Sequence, residues 1–395
     1  MVDRRRMLML VGQGVSSVGD GMWFTIWVIY LTRVIGFPVV EVGIVTVVGG
    51  IAGIVLSYPC GMAADRFGAR STFVFLVAVR SVAMLAFCFV TDFVGLLVVA
   101  VCFMGTQSGA AGVRTSMVYR MFDEPDRLAV LAQTRVVQHI AYAVGAGLGA
   151  VILAADQFYY AALVLNAFTF AVLAVLSMAL PRDTPPQAKP RARGALRDPS
   201  YVAVMLTTAI PALCWAMLST GIPLWILSRT AAPGWLSAVI VLNSSVVIAC
   251  LQVPVTARAS SVRWSGRAAA LAAVLLAVSC LLFASAAGFG TGLAVAVLVL
   301  AGLVNVAGEL YFVAARWGLA LGLMDGRHAG RYQGVAAATE ALVMAVGPGI
   351  VAAAVTAPGI SGWLVLAGVF TATAAATPPL VSWARRSRST SDAVR

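Results

Sequence analysis

The chain is a series of long apolar runs separated by short polar or glycine–proline breaks. Cutting it at Gly, Pro and charge clusters predicts twelve helices, over about 7–32, 38–62, 71–92, 95–120, 128–154, 158–180, 201–227, 233–257, 267–287, 290–318, 331–356 and 360–384. A bilayer core is crossed by roughly 20 apolar residues in a helix. A lipid-facing barrel strand would instead alternate over about ten residues, so these continuous runs predict helices. The longest polar stretch within the chain, 181–200, carries Pro181, Pro185, Pro186, Pro190 and Pro199 and divides six runs from six. It predicts a first six-helix bundle over 1–180, an extended linker over 181–200, a second bundle over 201–384 and a polar tail over 385–395.

Composition agrees with that pattern. Of 395 residues, 61% are hydrophobic and 11% charged, against about 25% charged in soluble domains. Soluble enzymes, secreted disulfide scaffolds and disordered chains are excluded. Cys60, Cys88, Cys102, Cys214, Cys250 and Cys280 are scattered singly, which suits apolar packing and gives no zinc or disulfide spacing. Arg4, Arg5 and Arg6 precede an apolar run as in a signal peptide, but the run continues to Thr32 and carries Asp20, so it reads as a retained first span.

A net charge of +12 would suggest nucleic acid in a soluble protein. Here almost all basic residues outside the spans fall on one side once the N-terminus is placed inside. Only Arg33 and Arg229 fall opposite. The positive-inside rule then predicts an inner-membrane, multi-pass protein with both termini and the linker cytoplasmic. The charge is accounted for by topology and anionic lipid, and no nucleic-acid partner is expected.

The two halves echo each other at an offset of 202 residues. Ser17-Val-Gly19-Asp-Gly-Met-Trp23 aligns with Ser219-Thr-Gly221-Ile-Pro-Leu-Trp225. Gln107 and Arg114 align with Glu309 and Arg316, Gln138 with Glu340, and Gly145 with Gly347. Parallel repeats of this kind build one large class of transporters.

Between the second and third runs stands Gly61-Met-Ala-Ala-Asp65-Arg66-Phe-Gly68-Ala-Arg70. Its glycines suit a tight turn and close helix approach. Asp65 offers an acceptor at the membrane edge, within reach of Arg66 and Arg70, which have Asp123, Glu124 and Asp126 as further partners. The segment resembles the G-x-x-x-D-R-x-G-x-[RK] loop signature of the major facilitator superfamily. The resemblance implies an all-α integral membrane fold of twelve transmembrane helices in two pseudo-symmetric six-helix bundles. It also implies that Asp65 meets the N-terminal end of span 11 and, with Arg70, latches the halves in one state. Ala63 and Ala69 depart from the family's usual residues. The second-half copy, Pro254-Val-Thr-Ala-Arg258-Ala, lacks the acid, and Gly145-Ala-Gly147-Leu-Gly149 lacks the proline of many antiporters. Gly12–Trp23, Arg80 and Leu165-Asn166-Ala-Phe-Thr-Phe look like the macrolide- and siderophore-exporting branch.

Charges inside spans cost at least about 2.5 kcal/mol each on the insertion scale, so they mark candidate sites. Asp20, Glu309 and Glu340 stand against Arg80, Arg114, Arg135 and Arg316. Helical spacing puts Gln13, Ser16, Ser17, Asp20, Trp23, Phe24 and Trp27 on one face, a mix suited to an amphipathic or cationic substrate and to proton exchange. Asp20 paired structurally with Arg80 or Arg114 is the alternative. Asn305, Glu309, Phe312 and Arg316 share a face, with Arg316 near enough to the end to snorkel. Arg135, Gln138, His139 and Tyr142 share another, and His139 adds a group that titrates near neutrality. The candidate substrate and proton cavity is therefore Asp20, Trp23, Trp27, Gln107, Arg114, Gln138, His139, Asn305, Glu309 and Glu340.

Nothing resembles a nucleotide loop, nucleophile elbow or metal-spaced His cluster, so neither an enzyme nor a cofactor or metal is expected. The expected function is alternating-access secondary transport by a monomer, exporting a hydrophobic or cationic small molecule against proton entry. Uptake of a metabolite or organic anion, and a non-transporting receptor or scaffold on the same fold, are the alternatives.

Overall fold

The computed structural model describes residues 4–182, 195–259 and 261–393, and over these the chain is helical with no strand. Twelve long helices follow in order: α1 Arg4–Ile29, α2 Val39–Phe67, α3 Ala69–Ala86, α4 Phe93–Met121, α5 Glu124–Ala155, α6 Tyr159–Met178, α7 Pro199–Arg229, α8 Leu236–Thr256, α9 Val262–Ser285, α10 Thr291–Gly322, α11 Ala329–Thr356 and α12 Ser361–Ala393. Eleven helical segments among the described residues are long and apolar enough to span a membrane. The remaining helix, α1, is less apolar because it carries Arg4, Arg5, Arg6 and Asp20.

Two expectations about boundaries change. Gly61–Phe67 is not loop: it completes α2, and the break comes at Gly68, whose φ of 93° few other residues tolerate. The expected tail is helical as far as Ala393. Most of the expected linker, including Lys189, Arg191 and Arg193, lies outside the described residues, as does Arg395; its end, Ala195–Arg197, is a 3₁₀ turn leading into α7.

Two helices leave regular α geometry. α1 continues as a π-helical turn, Tyr30–Ile35, closed by Gly36 at φ 94°. α7 is broken: an α segment to Thr207, a 3₁₀ turn Ile210–Ala212, a short α piece and a π turn Met217–Gly221 precede its last segment. Pro211 and Pro223 lack N–H groups for the ladder, which explains the interruptions.

The chain packs as two compact units. The first is Met1–Ala195 with Asp325–Ala341, and the second is Leu196–Met324 with Leu342–Arg395. In the first, α1 packs on α5 and α6, α2 on α4, and α3 on α4 and α6. A Cβ added to Gly21 would strike the Tyr142 carbonyl, and one on Gly145 the Val18 carbonyl. Glycine is therefore what lets α1 and α5 touch backbone to backbone. In the second unit, α9 packs on α10 and α12, and α8 on α10.

Each unit buries the tryptophan of the repeat. Trp23 stacks 5.0 Å from Phe87, and Trp225 lies 5.9 Å from Trp363 and donates Nε1–H to the Phe283 carbonyl at 2.7 Å. Val47, Val55 and Val82 are outward and mostly exposed, whereas Ser57, Thr134, Ser244 and Ser279 are buried and each donates to a backbone carbonyl. That inverted arrangement suits hydrocarbon, where side-chain hydroxyls must find partners inside.

Candidate functional site

The first unit holds a cluster of charge within its spans. α1 places Asp20 one helical face away from the Gly19 and Gly21 contacts. Its Oδ1 accepts from Arg80 of α3 at 3.0 Å, with side-chain exposures of 15% and 9%. The Arg80 guanidinium also lies 4.3 Å from the Phe170 ring centroid and 4.9 Å from that of Phe103. Two aromatic faces and one carboxylate thus compensate a cation that the bilayer would reject. Arg114 of α4 donates to Gln13, which also bonds Ser17 at 3.2 Å. Arg114 lies in the attractive fields of Glu340 and Asp20 and the repulsive field of Arg80. Glu340 comes from the part of α11 that packs in this unit.

The other sequence candidates distribute as follows. Trp23 is 3% exposed within aromatic packing. Trp27 and Gln107 are half-buried, as are Gln138 and His139, the latter in the field of Arg135. Tyr142 stacks on Phe24 at 6.3 Å. Asn305 and Glu309 belong to the second unit. Both are buried, and Glu309 Oε1 accepts from Trp215 Nε1 at 2.7 Å. Arg316 does not snorkel. It is 4% exposed and donates to the Met205 carbonyl at 2.9 Å and to Thr208 Oγ1 at 3.3 Å. The reason is the break in α7: the Ala209 amide turns to the Leu206 carbonyl, which frees that of Met205.

The motif after α2 is a second site of the first unit. Asp65 accepts from the Gly330 and Arg331 amides at 2.8 and 3.0 Å and from Arg120 at 2.8 Å, with Arg331 Nε at 3.8 Å. It sits at the N-terminus of α11, where orphan amides and the helix dipole favour an anion. Gly61 and Gly330 are in backbone contact, since a Cβ on either would strike the other's carbonyl. Arg66 lies over the Phe67 ring at 5.2 Å. Arg70 does not join Asp65: it donates to the Ser177 carbonyl at 3.1 Å and to that of Met178, at the end of α6. The partner of Asp65 that sequence reasoning missed is Arg120, which stands 55 residues away with no spacing to relate the two. His328 was missed as well. It is 2% exposed, with Nδ1 3.6 Å from Asp325 Oδ2.

In the second unit, Asp198 caps α7. It accepts from Tyr201 N at 3.0 Å, Ser200 Oγ at 2.7 Å and Arg388 at 3.0 Å. Burial pushes its carboxyl up, but these hydrogen bonds outweigh burial and hold it below its ordinary value. A depressed carboxylate stabilises the fold above its unfolded pKa and loses that contribution as pH falls through its folded one. Asp198→Asn keeps a good cap and removes the charge. It is expected to lower stability by about 1 kcal/mol at neutral pH, with the difference fading only below about pH 4 as pH falls through the lowered folded pKa. Thermal unfolding in detergent across pH checks this; a difference that persists at low pH would refute it.

Among the described residues no group of three or more His, Cys, Asp or Glu side chains gathers as for a metal.

Comparisons with known proteins agree on the fold. The chain is similar to the human organic anion transporter MFSD10 (TETRAN), at 16% identity and TM-score 0.69, over 96% of this chain and 99% of that one. It is similar to a bacterial homologue of the iron transporter ferroportin in the outward-facing state, at 16% identity and TM-score 0.72, over 97% and 100%. FucP, a transporter solved in the outward conformation, gives 12% identity and TM-score 0.68 over 96% and 98%. No curated protein sequence matches. Residues 9–348 match the family model of the Major Facilitator Superfamily. With the Asp65 motif and the twelve helices already described, the chain belongs to the Major Facilitator Superfamily and is a multi-pass membrane transporter of small molecules.

Proposed function

We propose that this protein is a proton-coupled exporter of a hydrophobic or cationic small molecule, working by alternating access between two six-helix bundles in the inner membrane, with both termini cytoplasmic. The observation that carries the reading is the Asp20–Arg80 pair, a carboxylate and a guanidinium deep in spanning helices and linked through Arg114 to Glu340 of α11. Protonation of Asp20 removes one of the two acids that attract Arg114, and Arg114 then leans toward Glu340. A proton on α1 is thereby felt by α11, the helix whose first turn Asp65 holds. A cationic substrate competing with Arg80 for Asp20 and its aromatic faces would be exchanged for that proton. The resemblance to macrolide and siderophore exporters points the same way.

A second reading has its own support. Among the described span residues of the first unit, Arg80, Arg114 and Arg135 outnumber Asp20 and Glu340, an excess of positive charge that suits an organic anion. A structural relative transports such anions, and on this reading the direction is uptake.

Proteoliposomes loaded with a pH-sensitive dye test both, using panels of lipophilic cations and organic anions. Proton flux is expected with cations and lost in Asp20→Asn. If protonophore leaves accumulation of every transported compound unchanged, proton coupling fails. Flux with anions alone selects the second reading. No flux with any compound, together with indifference to Asp20→Asn, marks a receptor or scaffold.

A further inference from the structure

In the second unit, a cavity of about 450 Å³ lies between α7, α11 and α12, walled by Ile210, Leu213, Val346, Ile350, Ala354 and Val365 among others. Ser361 is the one hydroxyl of the lining, and it is turned away to the Pro358 carbonyl at 2.7 Å. We propose that this cavity is a binding site for one acyl chain of a membrane phospholipid, which holds α11 away from α7.

The repeat explains why the cavity exists here. In the first unit, α5 lies directly on α1 through Gly21, Gly145 and Gly149. At the offset of 202, Gly21 becomes Pro223 and Gly149 becomes Val351. Val351 is fully buried and presses on Gly221: a Cβ there would lie 2.6 Å from Val351 Cγ1. Gly347 faces only side-chain atoms of Ala216 and Leu213, at 3.3 and 3.4 Å. A valine and a proline thus stand where glycines closed the first pair, and α7 and α11 are spaced by side chains. The floor of the cavity is the irregular stretch of α7, in keeping with the rule that broken backbone in membranes lines a cavity or protein interior.

Dimensions select the occupant. The lining follows α11 from Val343 to Ala357, about 20 Å at 1.5 Å per residue. The lining is apolar along that whole length, which suits an extended hydrocarbon chain. The length also approximates one leaflet of a core about 30 Å thick. Val346 and Ile350 are each 45% exposed and Val365 64%, so the rim opens sideways. α11 carries Pro348 between Gly347 and Gly349 along this wall. The missing Pro348 amide leaves the Met344 carbonyl without its helical partner, so the helix can bend there as the chain enters or leaves.

The test is photolabelling of the full chain in phosphatidylcholine nanodiscs doped with phosphatidylcholine bearing a diazirine in the distal half of one acyl chain. Labelled residues are mapped by mass spectrometry. Labelling at Val346, Ile350 and Ala354 is expected to exceed that at Val151 and Val164, exposed residues of α5 and α6, by about tenfold. Ala354→Trp fills the cavity and is expected to abolish the excess while Val151 and Val164 keep their labels. If that variant does not fold, Val346→Trp on the exposed rim replaces it. Equal labelling at all sites, or an excess that survives the tryptophan, overturns the proposal. It also falls if an apolar diazirine ring compound labels the cavity and the phospholipid does not. None of these outcomes depends on proton coupling or on the direction of transport.

Discussion

Arg80→Leu is expected to destabilise the protein by about 3–5 kcal/mol, the cost of leaving one member of a buried pair without its partner. Asp20 would be left in a span with Arg114 as its remaining attraction. Asp20→Asn should cost less, because the Arg80 guanidinium retains the faces of Phe103 and Phe170, each worth about 1–2 kcal/mol when shielded from water. The double variant Asp20→Asn/Arg80→Leu should recover most of the loss, since it buries no unpaired charge. Denaturant unfolding of the four proteins in one detergent measures the cycle. If the two single variants are equally damaging and their effects simply add, the two groups are not coupled. Transport should fail in all three variants, and in the double variant it should fail in a protein of near-normal stability. That result would separate function from folding.

Asp65→Ala is expected to loosen the first turn of α11 without unfolding the rest. The substitution removes the acceptor of two α11 amides and of Arg120, whose side chain is 9% exposed. The local cost should be about 1.5–3 kcal/mol, so hydrogen exchange at Gly330 and Arg331 should accelerate by about tenfold to a hundredfold. Asp65→Asn keeps a carbonyl for the amides but loses the charge, and should fall between. Exchange elsewhere in α2 and α4 should change little. Unchanged exchange at Gly330 and Arg331 in the alanine variant would mean that Asp65 does not hold α11, and that the motif acts through Gly61 and Gly68 alone. The glycines have their own work: Gly61 lets α2 touch the backbone of α11, and Gly68 turns the chain at a φ that side chains resist.

The spans were legible because lipid imposes a simple rule. Every stretch that crosses must be apolar and helical, so 61% hydrophobicity and the spacing of breaks located the twelve helices, missing mainly the polar ends of α2 and α12. The motif was legible through its resemblance to a family signature, which also implied that Asp65 meets α11; only the turn at Gly68 is a local demand. Asp20 and Arg80 could be nominated as partners, because each alone is too costly in a bilayer. The 202-residue echo likewise placed Trp23 and Trp225 in equivalent settings, although it did not reveal that both are packing residues.

Tertiary structure decided the remainder, and the reason is geometric. Helix periodicity gives a face, but it does not say what that face meets. Only the folded chain shows that Arg120, not Arg70, completes the charge of Asp65. The rings of Phe103 and Phe170 that flank Arg80 come from α4 and α6, which no spacing in the sequence relates. Arg316 is fixed by a carbonyl that exists as a free acceptor only because α7 breaks. The exchange of Gly149 for Val351 is visible in the sequence, but the apolar cavity appears only when α7, α11 and α12 are packed. The sequence by itself determined which segments enter the membrane and which charges must be matched there, because both follow from the free energy of single residues in hydrocarbon. Which groups do the matching depends on distances between helices far apart in the chain, and those were set by packing.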